Sequence, residues 1–183
     1  NRLILRLIMK VNKPGVHFDH MLSMSRSHHM NLSVMADQKA NMLLTIASVV
    51  VTISIPRLID PVFSASAAVL IFFCLVTIML ATYAVMPKLS HEVKSSDIPD
   101  YHRSDFNLLF FGDFIKLPYN IYELAMEEML NDPSLSYQAQ IKEMYSVGMF
   151  LSKKKYRFVR YAYQAFMVGL FCTGLTLLVK FIW

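Results

Sequence analysis

The stretch YAYQAFMVGLFCTGLTLLV, Tyr161 to Val179, decides the fold. Its roughly 19 residues carry no charge, and wound as a helix they measure about 30 Å, the depth of a bilayer's hydrocarbon core. Two further apolar runs lie upstream, Asn41 to Ile55 and Ala65 to Met86. A small soluble core does not need three such stretches. The reading is an all-α membrane protein with three transmembrane helices, a hairpin plus a late span, carrying helical cytoplasmic extensions.

The composition agrees. Of the 183 residues, 55% are hydrophobic, and the mean hydropathy is +0.42. These values exclude a disordered chain and point to the membrane class. Cys74 and Cys172 sit inside apolar runs without the spacing of a metal or redox pair, so they read as small lipid- or helix-facing residues.

Charge sets the expected topology. Arg2, Arg6, Lys10, Lys13, Arg26 and Lys39 precede the first span, and Lys153, Lys154, Lys155, Arg157 and Arg160 precede the last. The 57–64 turn carries one cation, Arg57, and the C-terminal tail one, Lys180. The positive-inside rule places the N-terminus and 88–160 in the cytoplasm, with the 57–64 turn and the C-terminal tail on the opposite side of the membrane. Trp183 on one side and Tyr156, Tyr161 and Tyr163 on the other suit the interfacial aromatic belts. The net charge of +5 is thus a topology signal, and no nucleic-acid polymer is expected as a partner.

Four regions follow. Residues 1–24 form a basic N-terminal segment, in which Leu3, Ile4, Leu7, Ile8 and Val11 face away from Arg2, Arg6, Lys10 and Lys13. That pattern fits a helix lying on an anionic leaflet, or the end of an upstream helical domain. Residues 25–87 form the transmembrane hairpin with a cytoplasmic helical extension. One helix can run from Ser25 to Ile55 before Pro56, and the second span stops at Pro87. Residues 88–160 form a mostly helical cytoplasmic module. Its 91–118 part is irregular by pattern, with an aromatic patch of Phe106, Phe110, Phe111 and Phe114 that serves as a module core or an interfacial wedge. Tyr119 to Leu130 reads as a helix ended by Asn131, Asp132 and Pro133, with Ser134 as the next N-cap. Residues 161–183 form the third span. No proline follows Pro133, so a helix from 134 to 182 would measure on the order of 70 Å, with Gly148 its weak point.

Several residues stand out chemically. Asn41, Thr45, Ser48 and Thr52 recur at helical spacing and put a polar stripe on one face of the first span. In lipid such a face packs on another helix or lines a pore or oligomer seam. Asp37 and Lys39 mark the cytoplasmic boundary of that helix as a charge pair or part of a ligand pocket. The run from Lys153 to Arg160 is membrane-proximal. It reads as stop-transfer charge touching anionic lipid, or as a phosphate site in which Lys153, Lys154 and Arg157 take part. Asp37, Lys39, Lys153, Lys154 and Arg157 are therefore the ligand-binding candidates. His17 and His20 have i, i+3 spacing with Asp19 between them, and His28 and His29 follow. No fourth ligand stands at firm spacing, so no metal is assigned. His91 and His102 are scattered loop histidines. The chain has no phosphate-binding glycine loop, no nucleophile elbow and no zinc-protease motif, so no catalytic residues and no cofactor are expected, and the protein reads as non-enzymatic.

Three segments in order, MADQKANMLLTIASVV (Met35–Val50), NLLFFGDFIKL (Asn107–Leu117) and YQAQIKEMYSVGMFLSKKKYRFVRYAYQAFMVGL (Tyr137–Leu170), resemble the Pycsar transmembrane effector family of bacterial antiphage systems. The resemblance spans roughly residues 25–180. It implies an inner-membrane effector of abortive infection that answers a cyclic pyrimidine monophosphate from a partner cyclase and then impairs the membrane. A homo-oligomer is expected, because a polar face in lipid needs a partner and closed symmetry is the common solution. The alternative is a membrane anchor or oligomerisation domain for a larger cytoplasmic sensor or enzyme. A transporter subunit is disfavoured, since no inverted repeat is visible.

Overall fold

The computed structural model describes residues 11, 14–86, 100–103 and 106–182. The basic arm 2–13 (Val11 excepted), Pro87, His91 and Trp183 lie outside the described residues, so the readings placed on them stay as expectations. Among the described residues the chain is all-helical and contains no strand. Its elements are α1 (Val16–Ser54), a 3₁₀ turn (Ile55–Leu58), α2 (Ser64–Val85), α3 (Phe111–Phe114), α4 (Tyr119–Asn131), α5 (Pro133–Phe150), a π-helical turn (Leu151–Tyr156) and α6 (Arg157–Ile182). Three helical stretches are long and apolar enough to cross a membrane: Val16–Leu58, Ser64–Val85 and Pro133–Ile182.

Several local readings are corrected. α1 starts at Val16 rather than near Ser25, because Gly15 offers its carbonyl to the amides of Phe18 and Asp19 and opens the first turn. His17, Asp19 and His20 are therefore helical, not loop residues. The cap of α5 is Asp132 rather than Ser134: its carboxylate accepts the Ser134 amide at 2.8 Å, and Pro133 takes the first helical position, where its missing N–H costs nothing. The irregularity in the last long helix falls at the π turn 151–156, one turn beyond Gly148.

The chain divides into two compact units, Asn1–Met30 with Lys88–Met149 and Asn31–Pro87 with Phe150–Trp183. In the first, Leu22, Leu117, Ala125, Met129 and Tyr137 are buried. The Tyr137 hydroxyl donates to Asp19 Oδ1 at 2.6 Å, Phe18 meets the Tyr137 ring edge-on at 6.4 Å, and Arg26 pairs with Glu143. The aromatic patch is half-buried, except that Phe111 is exposed.

In the second unit, Leu43, Ala81 and Ala162 form the centre where α1, α2 and α6 meet. Small residues line the seam: Ala36, Ala40 and Ala47 of α1, Ala67, Cys74 and Thr77 of α2, and Gly169 of α6 are all buried. In lipid, burying apolar area between helices gains little, so close packing of small side chains takes over. Gly169 is the extreme case, since a Cβ there would run into Phe73 Cβ. Lys180 reaches the Pro61 carbonyl and ties the end of α6 to the turn between α1 and α2.

Candidate functional site

The second unit brings the boundary charges together, in a different pairing from the one the spacing suggests. Asp37 lies on α1 next to the seam. Lys155 of the π turn donates to Asp37 Oδ2 at 2.7 Å and to Ser33 Oγ at 2.7 Å. The Tyr156 hydroxyl donates to the Leu32 carbonyl at 2.9 Å. Neighbouring side chains of a regular α-helix diverge, whereas the wider π turn lets Lys155 and Tyr156 both reach α1.

A cavity of about 720 Å³ opens beside this junction. Its cations are Lys39 from α1, Lys153 from the π turn, and Arg157 and Arg160 from α6. Tyr156, Tyr161, Tyr163 and Ser152 add hydroxyls, Val159 supplies an apolar wall, and among the described residues no carboxylate lines it. Arg157 Nε donates to the Tyr161 hydroxyl at 3.1 Å, and the Tyr163 hydroxyl donates to the Lys39 carbonyl at 3.5 Å. Of the five ligand-binding candidates, this cavity gathers Lys39, Lys153 and Arg157. Asp37 is held by Lys155, and the Lys154 ammonium stands 5.9 Å from the centre of the Phe150 ring. Sequence reasoning named the run but did not single out Lys155 or Arg160, because regular helical spacing does not anticipate the π turn.

The polar stripe turns away from the seam. Asn41, Thr45 and Thr52 are exposed and Ser48 is half-buried. Their hydroxyls bond back to their own helix: Thr45 to the Asn41 carbonyl at 3.0 Å, Ser48 to Leu44 at 2.8 Å and Thr52 to Ser48 at 3.0 Å. Donors satisfied this way tolerate lipid. The Asn41 amide receives no such local bond among the described residues.

A second cavity, about 590 Å³, lies in the first unit and was not foreseen. Asn107 builds it. Its backbone N–H donates to Asp113 Oδ2 at 3.2 Å, and its side-chain Oδ1 accepts the Leu109 backbone N–H at 3.1 Å. The side chain is 1% exposed, and its Nδ2 is a buried donor with no hydrogen-bond partner among the described residues. Such an atom carries a desolvation cost of about 1–3 kcal/mol until something accepts from it. Tyr101, Phe106, Leu108, Met129 and Leu135 supply rings and apolar surface, His102, Arg103 and Lys142 supply nitrogen donors and positive charge, and Glu128 and Gln138 add a carboxylate and an amide. Lys142 also donates to the Phe106 carbonyl. The chemistry is that of a mostly apolar pocket with a few convergent polar groups, in the size range of small-ligand sites. The only signal in the sequence was Asn107 itself, a polar residue heading an apolar run.

Among the described residues, no three His, Cys, Asp or Glu side chains come together as a metal would need.

A sequence model described as the Pycsar effector protein domain matches residues 20–180. No curated protein and no solved structure matches the chain.

Proposed function

We propose, for a chain that belongs to the Pycsar effector family, that a cyclic pyrimidine monophosphate enters the first unit's cavity and switches the protein to a state that impairs the bacterial inner membrane. The buried Asn107 Nδ2 is the observation that carries this reading. Cytosine and uracil both present a carbonyl oxygen at position 2, which can accept from that amide once the buried Asn107 side chain turns into the cavity. Tyr101 and Phe106 offer faces for the base, and Arg103 and Lys142 offer charge for the phosphate monoanion. The ligand comes from a partner cyclase, and the first unit therefore faces the cytoplasm, as the Lys and Arg distribution favours. The exposed stripe of Asn41, Thr45 and Thr52 supplies the seam between copies of a homo-oligomer, and its rearrangement opens the membrane.

The test is calorimetric titration of the full chain in detergent with the four common cyclic mononucleotides. The reading expects saturable binding of a pyrimidine ligand, weaker binding of the purines, and at least tenfold weaker pyrimidine binding by Asn107→Leu. Absence of heat with all four ligands would overturn it.

A further inference from the structure

The basic cavity of the second unit has a different character from the one around Asn107. Its polar side-chain groups are cations and hydroxyls, with no side-chain amide among the described residues to read a base. Its position along the helices is also distinctive. Lys39 immediately precedes the uncharged run of α1 that begins at Asn41, and Arg157 and Arg160 immediately precede the uncharged run of α6 that begins at Tyr161. Four cations from two helices and the π turn thus surround one cavity at the level where the apolar helices begin. That is the level of lipid headgroups, where anionic lipids gather and tyrosines settle.

The same faces continue into apolar surface. Counting by helical turns from Tyr163, Met167 and Leu170 follow on α6; from Lys39, Met42 and Ile46 follow on α1. Met167 is 63% exposed and Met42 is 61% exposed. A ligand whose phosphate sits among the cations has apolar surface beside it for two acyl chains, which a free nucleotide does not use.

We propose that this cavity binds the phosphodiester of an anionic glycerophospholipid. Arg157 and Arg160 grip the phosphate oxygens, Lys39 and Lys153 close the site from α1 and the π turn, and the acyl chains lie along the exposed faces of α1 and α6. The chemistry shared with a free phosphate ester is the oxyanion, and the acyl chains make the difference.

Native mass spectrometry of the full chain, released from nanodiscs of equal phosphatidylglycerol and phosphatidylethanolamine, reads the site directly. The wild type is expected to retain phosphatidylglycerol adducts over phosphatidylethanolamine. Arg157→Gln with Arg160→Gln is expected to lose them at least fivefold, and Lys153→Gln and Lys39→Gln severalfold. Lys154→Gln removes the same charge from the same turn but does not line the cavity, so it keeps the adducts. The two lysine variants, on separate elements, decide the matter if the double arginine variant is not recovered. Equal adducts in Lys153→Gln, Lys39→Gln and Lys154→Gln would overturn the proposal. So would complete displacement of phosphatidylglycerol by millimolar inorganic phosphate or cyclic cytidine monophosphate, which would assign the site to a free phosphate ester.

Discussion

Lys155 and Asp37, 118 positions apart in the chain, stand 2.7 Å from each other, and the same ammonium holds Ser33. The Lys155 side chain is 12% exposed and that of Asp37 39%, so the pair is sheltered on one side only. It joins the π turn to α1 beside the basic cavity.

Removing this link is expected to loosen the junction without unfolding the unit. A double-mutant cycle on Asp37→Ala and Lys155→Ala, followed by thermal unfolding in detergent, should return a coupling of about 1 kcal/mol, within the range for partly exposed pairs. Raising the salt should shrink it. A coupling indistinguishable from zero at low salt would mean that the contact contributes nothing.

In the first unit, the Tyr137 phenol donates to the Asp19 carboxylate. That bond, then burial, then the negative charge of Asp19 push the tyrosine above its ordinary value of 10.0. The folded state therefore holds the phenolic proton more tightly than the unfolded chain. The resulting stability is fully present below pH 10 and is lost as pH rises through the raised folded value. Tyr137→Phe should lower the melting temperature at pH 7, and the wild-type advantage should fade in strongly alkaline buffer. An advantage that persists unchanged there would contradict the assignment.

Gly169 tests the packing of the second unit. A Cβ at this position meets Phe73 at the root of its side chain, which cannot swing aside, while a Cβ at Gly174 meets nothing within 4 Å. Gly169→Ala is expected to cost about 1–3 kcal/mol through overpacking of α2 against α6. Gly174→Ala should be neutral or slightly stabilising, since alanine is the better helix former. Equal melting curves for the two variants would show that α2 and α6 do not approach closely at Gly169.

The stripe of α1 separates surface from seam. Thr45→Val with Ser48→Leu removes hydroxyls from the outward face and should change membrane leakage in cells at equal expression and insertion. Val49 and Ile53 are exposed and apolar, and their leucine variants are the controls; Val50 and Val51 are half-buried and unsuited to that role. Identical leakage in stripe variant and controls would assign the stripe to ordinary lipid contact.

What could be read from the chain and what could not follows from the range of each interaction. The second and third spans were legible because an uncharged run of about twenty residues has few alternatives to a membrane helix, and α4 was legible between Pro118 and the Asn131–Pro133 break. The early start of α1 is not legible, because proline and glycine in sequence ordinarily punctuate a loop, whereas here the Gly15 carbonyl opens the first helical turn. The choice of Asp132 over Ser134 depended on which side chain the first turn of α5 brought to the free amides. The Lys155–Asp37 pair depends on a π turn that side-chain periodicity does not reveal. Asn107 was hidden by its neighbours: Phe106, Phe110 and Phe111 dominate the pattern, while the cavity is closed by Met129, Leu135 and Lys142 from helices further along.

The most direct test of the account is dye release from proteoliposomes that carry the full chain. Vesicles with wild-type protein should stay sealed until a cyclic pyrimidine monophosphate is added, then release their contents, and Asn107→Leu vesicles should need at least tenfold more ligand. Wild-type vesicles that stay equally tight, or leak equally, with and without any cyclic mononucleotide would contradict a ligand-switched membrane effector.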